Sequence, residues 1–101
     1  MGTPMKTPES FEKAEICKYL DSIGAWYFKP MMNGFGKAGV PDIIACWQGY
    51  FFGIEVKREG KKPTALQERR MAEINAASGI TLWGTSEKVI KELSNYFEMY
   101  G

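Results

Sequence analysis

At 101 residues, 45% hydrophobic, 25% charged and 14% aromatic, the chain has the composition of one globular domain spanning residues 1–101, not of a disordered tail. It contains no histidine, which excludes Ser-His-Asp triads, HExxH metallohydrolases and histidine-dependent nucleases, and leaves carboxylates, lysine and a hard metal ion to carry any chemistry. The net charge of +1 favours no partner globally, no apolar run is long enough to cross a bilayer, and MGTPMKTPES lacks the layout of a signal peptide, so a cytoplasmic location without membrane contact is expected.

In chain order, Thr7-Pro8-Glu9 predicts a helix start, with a capping hydroxyl, proline at the first helical position and an acid in the first turn. The helix runs to about Ile23 and stops at Gly24, with Ile16, Tyr19, Leu20 and Ile23 on one face and Glu15 on its flank. Residues Ala25 to Lys29 read as a short aromatic strand, its Trp26, Tyr27 and Phe28 assigned to the core, and PMMNGFGKAG as a glycine-rich loop. Val40 to Trp47 and Tyr50 to Arg58 are strands joined by Gln48-Gly49 as a tight hairpin. Thr64 opens a second helix that stops at Gly79, Ile80 to Trp83 is a brief strand, and Ser86 caps a last helix. Cys17 and Cys46, without CxxC spacing, read as buried packing thiols. The order is α-β-β-β-α-β-α, an α/β class with a mixed sheet.

With Gln48 and Gly49 as turn residues, Trp47 faces Tyr50, Ile44 faces Gly53 and Asp42 faces Glu55. Directly opposed residues have Cβ atoms about 5 Å apart, so Asp42, Glu55 and Lys57 converge on one face while Ile43, Ala45, Trp47, Tyr50, Phe52, Ile54 and Val56 form the other. Opposed like charges destabilise a sheet. A shared proton, Lys57 or a divalent cation could offset the repulsion, and an ordinary solvated set of ion pairs is the alternative. Gly53 leaves room for a close approach to the backbone.

"PD" followed by "EVK" across a hairpin resembles the PD-(D/E)xK nuclease motif, and α-β-β-β-α-β resembles that superfamily's core. The longer string GVPDIIACWQGYFFGIEVKREGKKPTALQ, with Glu15 on the preceding helix, more closely resembles the VRR-NUC family, including its stand-alone phage and bacterial domains. The resemblance implies a PD-(D/E)xK restriction-endonuclease-like core with Asp42, Glu55 and the Val56 carbonyl as ligands of Mg²⁺ or Mn²⁺, and Lys57 as the catalytic lysine. Glu15 would complete the acidic cluster, with a solvated helix acid as its alternative. Gln67 would support the site, but it also stands at the capping-box position of Thr64, and both roles are open.

Arg58, Lys61 and Lys62 are candidate phosphate-binding residues or a solvated surface, and Lys29 and Lys37 flank the glycine-rich loop as further candidates for DNA contact. The implied activity is metal-dependent hydrolysis of DNA phosphodiesters, with a four-way junction as the preferred substrate. A flap or restriction-like nuclease, or a non-catalytic DNA-binding module, is the alternative. Resolution of a junction needs two cuts, so a homodimer is expected, with Met31, Met32, Phe35, Tyr96, Phe97, Met99 and Tyr100 as apolar material for its interface.

Overall fold

The computed structural model describes residues 7–31 and 36–100. Met32, Asn33, Gly34 and Phe35 lie outside the described residues, and with them part of the loop assigned to DNA contact and dimerisation. The described elements run α1 (Glu9–Ser22), β1 (Trp26–Phe28), β2 (Ile43–Trp47), β3 (Tyr50–Val56), α2 (Ala65–Ala76), β4 (Ile80–Gly84) and α3 (Ser86–Tyr100), the order expected from the sequence. Among them, no helix is long and apolar enough to cross a membrane.

The strands form one sheet in the order β1-β2-β3-β4, antiparallel except for the β3–β4 pair, so the sheet is mixed. Trp47 pairs with Tyr50 and Ile44 with Gly53, because Gln48 (φ 53°) and Gly49 (φ 81°) are both left-handed and close a two-residue hairpin turn whose twist matches the strands. Helices α1 and α3 pack on one face of the sheet and on each other. Between them lie the fully buried Ile16, Ile43, Ile54, Val56 and Val89, with Phe52 at 1% exposure. The alternation of β3 thus sends Phe52, Ile54 and Val56 into the core and aims Gly53 and Glu55 at the opposite face, where α2 lies. A Cβ on Gly53 would stand 3.0 Å from Ile74 of α2 and from the Pro41 ring, so the glycine admits the chain's own helix, not a ligand.

Several element ends differ from expectation. Pro8, not Thr7, is the N-cap of α1, and no side chain caps it. The left-handed residue closing α2 is Ser78 (φ 71°), while Gly79 is required because a Cβ there would lie 2.6 Å from Ile74. Thr85 rather than Ser86 caps α3: its Oγ1 accepts from the Lys88 N–H at 3.3 Å, which makes Ser86 the first helical residue. Ser86 is instead held by Glu12 of α1, whose Oε1 accepts both the Ser86 N–H and its hydroxyl at 2.7 Å each.

The aromatic residues are also redistributed. Trp26 and Phe28 are 66% and 47% exposed, because β1 is an edge strand and only its central Tyr27 turns toward α1. Cys46, the partner of Trp26, is exposed on that same open face, and only Cys17 is a buried thiol. Conversely, Tyr96, Phe97 and Tyr100 of α3 pack on Phe52, Trp47 and Tyr50, so much of the aromatic surface expected at an interface completes the chain's own core.

Candidate active site

Pro41 breaks the donor pattern of β2 just before Asp42, and the β2–β3 ladder ends at Ile43 opposite Ile54. The next outward-facing donor on β3 would have no strand partner. Asp42 replaces that partner with its side chain, Oδ2 accepting the Val56 N–H at 2.9 Å. The N–H and C=O of one strand residue point the same way, so the Val56 carbonyl is directed toward the Asp42 side as well. The loop before Asp42 is fastened to α2 by Arg70, whose Nε donates to the Ala38 carbonyl at 2.8 Å, and by the close fit of Gly39 (φ +77°) under Leu66.

Glu55 is 2% exposed and its Oε2 has no hydrogen-bond partner. Burial, reinforced by the charge and hydrogen bond of the Asp42 carboxyl, pushes its pKa up to about 8, with Lys57 pulling the other way and Glu9 adding a weaker repulsion. A buried acceptor without a donor costs about 1–3 kcal/mol, and more when ionised. The pair therefore holds a proton or a cation.

Two carboxylates in contact, one with an orphaned oxygen, and a backbone carbonyl aimed to their side fit a hard divalent ion that keeps most of its waters. Among the described residues no group of three or more His, Cys, Asp or Glu side chains is gathered, so the protein's share of such a site is small. Glu15 is not part of it. On α1, Lys13 faces the pair, its Nζ 3.9 Å from Asp42 Oδ1, and Glu9 lies one turn before it on the same side. At about 100° per residue Glu15 points nearly away from Lys13, so the helix acid whose charge reaches Glu55 is Glu9. Sequence reasoning missed both Glu9 and Lys13. Their one signal was the four-residue spacing that puts them on a common face.

Lys57 is half-buried and its charge acts on Glu55, as the ExK spacing implied. Gln67 makes the complete capping box: its Oε1 accepts the Thr64 N–H at 2.8 Å and its N–H donates to Thr64 Oγ1 at 3.2 Å. Lys37 is drawn to Glu73 of α2 at 3.5 Å, beside a cavity of about 520 Å³ between α2 and the hairpin tip whose charged residues, Lys37, Arg70 and Glu73, already pair with each other. Lys29 is exposed at the end of β1. Arg58, Lys61 and Lys62 are exposed and gather at the far end of β3, where the Lys57 backbone N–H donates to the Gly84 carbonyl at 2.9 Å.

No family model and no curated protein matches the chain. Among solved structures, a VRR_NUC domain matches with a TM-score of 0.74 at 22% identity, over 92% of this chain and 97% of that one. Likeness at this identity concerns the fold. This chain has the fold of a VRR_NUC domain.

Proposed function

We propose that the chain is a metal-dependent endonuclease that hydrolyses DNA phosphodiesters, with four-way junctions as its substrate and a homodimer as its working form. The reading is carried by the orphaned oxygen of Glu55 against Asp42, beside Lys57, on the fold of a VRR_NUC domain. Asp42, Glu55 and the Val56 carbonyl would hold Mg²⁺ or Mn²⁺, which supplies Lewis-acid activation of water and of the phosphate when bound. Lys57 places a positive charge where negative charge develops on the phosphate, and can exchange a proton with the attacking water. Arg58, Lys61 and Lys62 hold neighbouring phosphates. The choice of branched DNA rests on family analogy.

The dimer follows from the need for two cuts related by two-fold symmetry. Its interface is the uncovered face of β1, where Trp26 and Phe28 pack 5.7 Å apart and Met31 is 76% exposed. Sedimentation equilibrium at micromolar protein should give a dimer, and Trp26→Glu a monomer.

The decisive experiment is cleavage of a labelled four-way junction with Mg²⁺, with chelator, and with Lys57→Ala. Cut strands in the first case alone support the reading. Metal-independent cleavage, or none on any branched or linear DNA, overturns it, and binding without cleavage would leave the chain a DNA-binding module.

A further inference from the structure

Between the end of β3 and the start of α3 lies a cavity of about 310 Å³. Arg58, Lys61, Lys62 and Lys88 line it against one acid, Glu59, and its wall includes the Trp83 indole. Trp83 is the register partner of Glu55 across the parallel β3–β4 pair, so its side chain leaves the sheet on the face of Glu55, one strand spacing of about 4.8 Å away. Trp83 in the cavity wall is thus one strand over from Glu55, and Arg58 follows Lys57 in the chain.

The ring is held in a defined place. Lys88 Nζ stands 3.9 Å from the ring centroid and donates to the Trp83 carbonyl at 2.7 Å. Gly84 permits this, since its φ of +139° is one that side-chain-bearing residues rarely adopt and a Cβ there would meet Lys88 at 2.8 Å. Trp83 is half-buried on an edge strand, and what lies over it is an ammonium and a basic cavity.

We propose that this cavity is a subsite for one unpaired nucleotide of the DNA substrate, adjacent to the phosphate that is cut. Trp83 stacks the base, Lys88 giving up its place over the ring and turning to the phosphate that Arg58, Lys61 and Lys62 hold. The proposal rests on the nuclease reading above and deepens it. The volume is at the lower end of the ~300–1,000 Å³ of small-molecule sites, enough for a single nucleotide and not for a base pair. An aromatic face in a basic groove is the arrangement by which single strands are bound without sequence preference, because every base offers a π-face. Selectivity for branched DNA then has a source in this chain: strands that splay at a branch can place a nucleotide here, and continuous duplex cannot.

The test is equilibrium binding in Ca²⁺ of a short single strand carrying one 2-aminopurine, and of a blunt duplex of equal length. The wild-type protein should quench the 2-aminopurine. Trp83→Leu should abolish the quenching and weaken single-strand affinity about ten-fold or more, with duplex affinity changed less than about two-fold, while Trp83→Phe keeps most of both. Unquenched 2-aminopurine on the wild-type protein overturns the proposal without any variant, and so does a Trp83→Leu protein that keeps wild-type single-strand affinity or loses single-strand and duplex affinity equally. All these proteins keep Asp42, Glu55 and Lys57, so absence of Mg²⁺-dependent cleavage would sink the nuclease reading separately, whatever the binding comparison gives.

Discussion

Two glutamates are buried almost equally in this fold, Glu12 at 6% and Glu55 at 2% exposure, and they stand in opposite conditions. At the α1–α3 junction, Oε1 of Glu12 on α1 receives two hydrogen bonds from Ser86, against the N-terminus of α3, where the helix dipole favours a carboxylate. At the end of β3, Glu55 has an oxygen with no donor and a second carboxyl against it. Burial alone says nothing about role. The difference in donors does: the first region is complete within the chain and joins two helices, whereas the second is completed by a proton or a cation from outside.

The largest effect is expected at Glu55. Glu55→Gln and Lys57→Ala should each lower junction cleavage by ~10³-fold or more, measured in single turnover. Stability of the Gln variant should move the other way. Glu55 has a folded pKa raised from 4.5 to about 8, so its contribution to stability is fully present below about pH 4.5 and is lost as pH rises through 8. Without divalent ions, then, the melting advantage of Glu55→Gln over the wild type should grow from pH 5 to pH 9, on the order of a few kcal/mol at most. Saturating Mn²⁺ should reverse the order, stabilising the wild type by ~2.7 kcal/mol at a hundred times Kd and the variant by much less. A melting difference flat with pH and blind to Mn²⁺ would erase the distinction between the two glutamates.

Glu12 should show an intermediate effect of a different kind. Glu12→Ala strands the Ser86 N–H and hydroxyl in a part-buried place, at a cost of about 1–3 kcal/mol, or roughly 5–20 °C in Tm for a domain of this size. Glu12→Gln keeps an acceptor oxygen and should lose less. In both variants the rise in Tm on adding Mn²⁺ should persist, which calorimetry can check. Its disappearance would mean that the α1–α3 junction and the carboxylate pair are one unit.

The contrast between these glutamates also marks how far the sequence could be read. Element order, the Gln48-Gly49 turn and the hairpin register were legible because they are local: turn chemistry and alternation fix them within a few residues. Asp42, Glu55 and Lys57 followed from that register. Glu12 was not legible, since its partner Ser86 is 74 positions away and nothing in EKAEICKYL distinguishes a capping acid from a solvated one. Glu15 enters the acidic cluster only through the resemblance, and Glu9 reads only as a first-turn acid: the rotation of α1 about its axis is set by how it packs on α3 and β3, a tertiary fact. The exposure of Trp26 and Phe28 likewise depends on β1 being an edge, which strand propensity does not encode.

The smallest expected effect tests whether anything but a proton and a cation completes the Glu55 region. Lys13 Nζ is 3.9 Å from Asp42 Oδ1 with both side chains about a third exposed, 34% and 30%, a geometry that usually contributes less than about 1 kcal/mol. Lys13→Met should therefore leave Tm almost unchanged. Its effect should appear in cation binding, because an ammonium beside Asp42 opposes a divalent ion held by the same carboxylate. A unit charge opposes a divalent ion in water by ~2 kcal/mol at about 4 Å and ~1 kcal/mol at about 8 Å, so removing it should tighten Mn²⁺ binding about five- to thirty-fold at low salt. Added salt screens the opposition and should shrink the gain toward nothing. Titration calorimetry of wild type and Lys13→Met at two ionic strengths reads both quantities. Weaker Mn²⁺ binding in the variant would instead assign Lys13 to orienting Asp42, and the Glu55 region would then be partly completed from within the chain, as Glu12 is.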